Sequence, residues 1–175
     1  MDKNELPKRK HPRLKEFDYS SSGGYFVTIC AQDRKQVFSK IIRTNDNDLV
    51  GRGLAPAATV QLSLYGQIVE NELKNIETHF PHVSLGDYVI MPNHIHLILH
   101  IDGDTAGASP RPTVMDIVCA FKSLATRKCK QGGYKDKLFQ TSFYDRIVRN
   151  GDEYMEICNY IRLNPDNWEK DELYN

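Results

Sequence analysis

The chain has 175 residues, and 40% of them are hydrophobic, which supplies about 70 apolar side chains. That fills one core and is too few for two. Charged residues make up 26% and the mean hydropathy is −0.53, a profile that excludes a disordered polyelectrolyte. No apolar run approaches the roughly 18–20 residues that cross a bilayer, and no apolar stretch follows the basic start MDKNELPKRKHPRLK as it would in a secretory signal. The four cysteines (30, 119, 129 and 158) form no CxxC pair, so reduced thiols in a cytoplasmic protein are expected.

A formal net charge of zero hides an uneven distribution. Residues 8–15 (KRKHPRLK) hold five Lys/Arg and no acid, and residues 111–149 hold nine Lys/Arg against three acids. Residues 150–175 reverse the sign, with seven acids against two basic residues. Any one such run can be an ordinary solvated face. Two basic blocks in a neutral chain also suit a phosphate-rich partner.

Residues 1–20 read as a basic leader and 21–175 as a single domain. Tyr25–Ala31 is a β-branched and aromatic run introduced by Ser-Ser-Gly-Gly, which predicts a strand. Residues 44–58 carry turn formers without a period and predict a loop. From Leu62 to Phe80 apolar residues recur at three and four, predicting an amphipathic helix that stops before Pro81. Val83–Met91 and His94–Ile101 read as strands joined across Pro92-Asn93, and 102–112 as a second loop. A helix is expected from Thr113 to Lys130, closed by Gly132-Gly133, and a strand over Phe143–Val148. Asn150 and Glu153 have capping-box spacing and open a last helix that Asn164-Pro165 ends near Leu163. Six of these seven elements make the βαββαβ order of an α+β, ferredoxin-like (RRM-like) domain. Its sheet is antiparallel with helices on one face, and the C-terminal helix is an addition.

Candidate chemistry lies in MPNHIHLILHI. His94 and His96, two apart on a strand, project from one face about 6.5–7 Å apart, while Ile95 and Leu97 point into the core. Two imidazoles on an exposed sheet face suit a divalent metal that keeps positions open for substrate. His-x-His on a strand also arises by accident, and the spacing alone does not choose. In the last helix Tyr160 and Asn164 are i and i+4 and share a face. Tyr160 can be a nucleophile or a core aromatic, and Asn164 a ligand or a helix cap before Pro165.

MPNHIHLILHI, AFKSLATRK, FQTSFYDRIVRN and YIRLNPDNW, with the opening RLKEFDYSSSGGYFVTICAQDR, together resemble the REP-associated tyrosine transposases. These are single-tyrosine members of the HUH endonuclease group, and the resemblance runs from about Arg13 to Asp171. It implies that His94 and His96 bind Mg²⁺ or Mn²⁺, that Asn164 is the third ligand, and that Tyr160 is the nucleophile. The implied activity is cleavage and transfer of single-stranded DNA near hairpins through a 5′-phosphotyrosine, serving DNA transposition or recombination. Lys8, Arg9, Lys10, Arg13, Lys122, Arg127, Lys128, Arg146 and Arg149 are the expected DNA contacts, with bases stacking on Phe143 or Tyr144. The implied setting is a cytoplasmic, nucleoid-associated monomer or homodimer with single-stranded or hairpin DNA as partner and no membrane. A domesticated protein that binds hairpin DNA or RNA without cutting it would share these features. A phosphoesterase that uses water fits less well, because two histidines and one amide are few ligands without a carboxylate.

Overall fold

The computed structural model describes residues 22–43, 58–102 and 112–174. The leader with Lys8, Arg9, Lys10 and Arg13, and nearly all of the two expected loops, lie outside the described residues. In chain order the elements are β1 (Gly23–Cys30), β2 (Ser39–Arg43), β3 (Ala58–Leu62), α1 (Leu64–Lys74), α2 (Ile76–His79), β4 (Val83–Ile90), β5 (His94–Ile101), α3 (Val114–Gln131), β6 (Tyr144–Val148) and α4 (Gly151–Leu163).

Four strands form one sheet in the order β4-β5-β1-β6, with every neighbouring pair antiparallel. This is the α+β, ferredoxin-like sheet expected from the βαββαβ order. β2 and β3 pair with each other and stand apart as a small sheet inserted between β1 and α1. Strand alternation sorts β1 and β5 into two interiors. Tyr25, Val27, Ile29, Ile95, Leu97 and Leu99 pack with Val69 and Leu73 of α1 and Val114, Ile117 and Phe121 of α3. Phe26 and Ile98 face the other way, onto Ile157, Cys158 and Ile161 of α4. The sheet is thus covered on both sides.

Local chemistry sets the helix ends. Ser63 Oγ accepts from the Gly66 N–H at 3.0 Å and opens α1. Gly66 lies so close to the Phe38 carbonyl that a Cβ there would stand 1.9 Å from its oxygen. Thr113 and Asp116 form a full capping box on α3. Asn150 Oδ1 accepts from the Glu153 N–H at 2.8 Å, and Asn164 ends α4 before Pro165. Beyond α4 a 3₁₀ turn (Trp168–Lys170) leads the chain back across the sheet. The Ala58 N–H donates to Asp166 at 2.8 Å, and Arg43 pairs with Glu169 at 3.5 Å, so β2 and β3 hold this returning segment.

Three expectations are corrected. The β2–β3 pair falls mostly on residues given no element (39–43 and 59–61), and its last strand takes in Ala58 and Leu62, which were read as loop and helix. β2 does not alternate, and β3 does (Ala58, Val60 and Leu62 against Thr59 and Gln61) but over only five residues that run into the helical pattern. The helix expected over Leu62–Phe80 starts at Leu64 and breaks at Asn75, leaving α2 as one turn. The histidine-bearing face is not exposed, because α4 and the segment after it lie over it.

Candidate active site

His94 and His96 leave β5 on the α4 side, where the fold buries them to 0% and 3% exposure. Their rings meet edge to face with centroids 4.5 Å apart. Phe26 stacks on His96 at 5.3 Å, and Trp168, from the returning segment, lies 5.9 Å from His94. Burial pushes the His94 pKa down to about 4, against the pull of the Asp171 carboxylate. Burial, then the neighbouring His94, holds His96 well below the ordinary histidine value. Both rings are therefore neutral at pH 7, the form that coordinates a metal without first losing a proton.

Each ring is held from behind. His96 Nδ1 and the Thr28 hydroxyl are hydrogen-bonded at 2.8 Å, and His94 Nδ1 lies 2.8 Å from Asn93 Oδ1. On the front, His94 Nε2 is buried without a hydrogen-bond partner, 3.9 Å from Asp171 Oδ2. Asn164, at the C-terminal end of α4, donates from Nδ2 to Asp171 Oδ2 at 2.9 Å, and its own Oδ1 is buried and unpartnered. His94, His96 and Asp171 each place a ligand atom within 4.8 Å of the other two. Two neutral imidazoles, one carboxylate and unpartnered buried N and O atoms fit a divalent cation. An orphaned buried acceptor is costly in a site that holds nothing.

Tyr160 sits at the rim, one turn before Asn164 on α4 and 47% exposed. Its hydroxyl is 3.3 Å from His96 Nε2, and its ring meets His96 edge to face at 5.2 Å. Partial burial and the Asp171 charge push its pKa up, while a hydrogen bond with Asn164 pulls it down. The phenol is therefore protonated at neutral pH.

The fold brings together Tyr160, His94, His96 and Asn164, and adds three residues that motif reading passed over: Asp171, Asn93 and Thr28. Asp171 had counted only as part of an acidic tail. Seven residues beyond Asn164 and outside the helix, it carried no spacing that could betray it. Its presence also removes the objection that the ligand set lacks a carboxylate.

The expected DNA contacts are dispersed. Arg146, on β6 directly across from Phe26, lies on the histidine side of the sheet, 3.5 Å from Glu153. Arg149 is exposed just beyond β6. Lys122, Arg127 and Lys128 belong to α3, in the layer on the opposite face. There Lys122 Nζ donates to the Gln140 and Thr141 carbonyls at 2.6 and 3.0 Å, and Lys128 pairs with the buried Glu72.

Among solved structures, a REP-associated tyrosine transposase bound to a REP hairpin has a TM-score of 0.56 with this chain. The likeness covers 89% of this chain and 74% of the other at 20% identity, and it bears out the sequence resemblance at the level of the fold. An uncharacterized protein of Haemophilus influenzae is 31% identical over 181 residues, spanning 95% of this chain and 93% of its own. The chain belongs to the same family as that protein. No family model matches it. Among the described residues no helix is long and apolar enough to cross a membrane.

Proposed function

We propose that the protein is a metal-dependent tyrosine transposase that cuts and rejoins single-stranded DNA next to a hairpin. The observation that carries this reading is the Tyr160 hydroxyl, 3.3 Å from His96 Nε2 at the rim of the cluster. His94, His96 and Asp171, with Asn164 beside them, would hold Mg²⁺ or Mn²⁺. The ion would polarise a scissile phosphate and offset charge building on it.

The remaining steps belong to the chain. α4 presents the half-exposed Tyr160 oxygen at the rim of the buried cluster. The oxygen attacks phosphorus, the bond to the 3′ oxygen breaks, and the phosphate stays on Tyr160 as a 5′-phosphotyrosine. The phenol proton leaves to solvent, to which Tyr160 is open, and the departing 3′ oxygen takes one up from solvent to become the 3′-hydroxyl. Because the ester keeps the bond energy, a later 3′-hydroxyl can displace the tyrosine without ATP. Arg146 supplies positive charge on the same side of the sheet, where a backbone leading to Tyr160 would pass, and Arg149 adds an exposed cation just beyond β6.

Incubation with Mn²⁺ and hairpin oligonucleotides from the gene's own flanks should give an SDS-resistant protein–DNA band, labelled only when the dye lies 3′ of the cut. Tyr160→Phe removes one half-exposed hydroxyl, so the band should fall at least ~10³-fold while folding stability stays within ~0.5 kcal/mol. Tight hairpin binding by both proteins with no band from either would instead establish the non-cutting hairpin binder. Release of product with no covalent band would point to hydrolysis by water.

A further inference from the structure

Asn93, in the three-residue connection between β4 and β5, is completely buried, yet neither the fold nor the proposed chemistry requires an amide there. Its Nδ2 donates to the Leu173 carbonyl at 2.7 Å. That bond settles which end of the amide is which, because a carbonyl can only accept. Oδ1 therefore points at His94 Nδ1, 2.8 Å away, and it too can only accept. Nδ1 must carry the ring proton, which leaves the lone pair on Nε2, the buried atom without a hydrogen-bond partner that faces Asp171. Free histidine in water favours the opposite tautomer, with the proton on Nε2, so the protein has to impose this one.

We infer that Asn93 is a positioning residue that selects the Nδ1–H tautomer of His94 and so aims the Nε2 lone pair into the cluster. The selection is anchored in the same returning segment that brings in Asp171, because Leu173 is two residues further on and its carbonyl orients the Asn93 amide. Leu173 is itself tied to Asp171, whose Oδ1 accepts from the Leu173 N–H at 2.6 Å. One docked stretch of chain thereby delivers the carboxylate and fixes the imidazole opposite it. This is the outer-shell arrangement that orients a ligating histidine. The inference rests on the proposed metal centre for its purpose, but the tautomer itself is read without metal or DNA.

The tautomer is read from long-range ¹H–¹⁵N correlations of metal-free, imidazole-labelled protein at pH 8, with the His94 signals assigned by their loss in His94→Gln. Wild type should show a protonated Nδ1 and a bare Nε2. Asn93→Leu, of similar size but with no acceptor, should shift His94 toward the Nε2–H form. It should also weaken Mn²⁺ binding by about tenfold or more. Asn93→Asp still accepts from Nδ1 but cannot donate to Leu173, and it should keep the wild-type tautomer; it decides the matter if Asn93→Leu does not fold. A wild-type Nε2–H signal, a folded Asn93→Leu with unchanged tautomer, or loss of the tautomer in Asn93→Asp overturns the inference. Wild type with the expected tautomer but no Mn²⁺ binding and no covalent band overturns the proposed function and leaves the role of Asn93 standing.

Discussion

The face of the sheet under α1 and α3 buries Val27, Ile29, Ile95, Leu97 and Leu99, all apolar. The face under α4 buries Thr28, His94, His96 and Asn164 beside Phe26 and Ile98. Alternate residues of the same two strands build both. On the first face every buried side chain contributes about 1.5–3 kcal/mol by leaving water. On the second, several groups give up water for single hydrogen bonds, and His94 Nε2 and Asn164 Oδ1 gain none. An unmet buried polar group costs about 1–3 kcal/mol. One side of the sheet therefore holds the domain together, while the other holds a site at some expense to stability.

The comparison can be broken first on the apolar side. Leu97 is 1% exposed at the centre of that core, so Leu97→Ala should cost about 3 kcal/mol in urea unfolding. The covalent band formed per folded molecule should not change. A cost near zero would mean that the two faces do not divide the labour in this way.

Acid tests the polar side, with the next largest effect. His94 is held at about 4 in the folded protein against an ordinary 6.5, and His96 is shifted in the same direction. Between those two values the unfolded chain takes up a proton that the folded one refuses, so stability falls as pH falls. The contribution is fully present above about pH 6.5 and is lost progressively toward pH 4. For His94 alone, unfolding in EDTA should show a loss of about 2 kcal/mol between pH 7 and pH 5. His94→Gln should flatten that slope. An unaltered slope in the variant would place the effect elsewhere.

The smallest change in stability is expected from Asp171→Asn. The variant keeps an oxygen for the Leu173 N–H but turns its amide nitrogen toward the Asn164 Nδ2 donor, a clash relieved when the Asn164 amide turns over to present its unpartnered Oδ1, so urea unfolding should move by about 1 kcal/mol or less. Mn²⁺ affinity, read by calorimetry, should fall by about tenfold or more. Unchanged affinity would remove Asp171 from the centre and leave Asn164 as the oxygen ligand.

What the sequence determined by itself was whatever local chemistry and short periods encode. The alternation through VTI and HIHLIL decides which residues share a face, because successive side chains of a strand must point opposite ways. The i, i+4 relation of Tyr160 and Asn164 and the stop at Pro165 follow from helix geometry and the missing proline N–H. The order of elements limited the sheet to a ferredoxin-like arrangement, and the structure bears that out. The short β2–β3 pair was not legible, since SKIIR shows no alternation and the alternation of ATVQL spans only five residues that run into the periodic stretch of α1.

Only the tertiary structure decided that the histidine face is covered, since no local rule says which surface a terminal helix and the chain beyond it will occupy. It alone joined Asp171 and the Leu173 carbonyl to Asn93, His94 and His96, partners about 80 residues away along the chain. It also separated Lys122, Arg127 and Lys128 from Arg146, although all four lie in one basic stretch. Charge runs are counted along the chain, whereas a strand and a helix on opposite sides of a sheet send their charges to opposite faces.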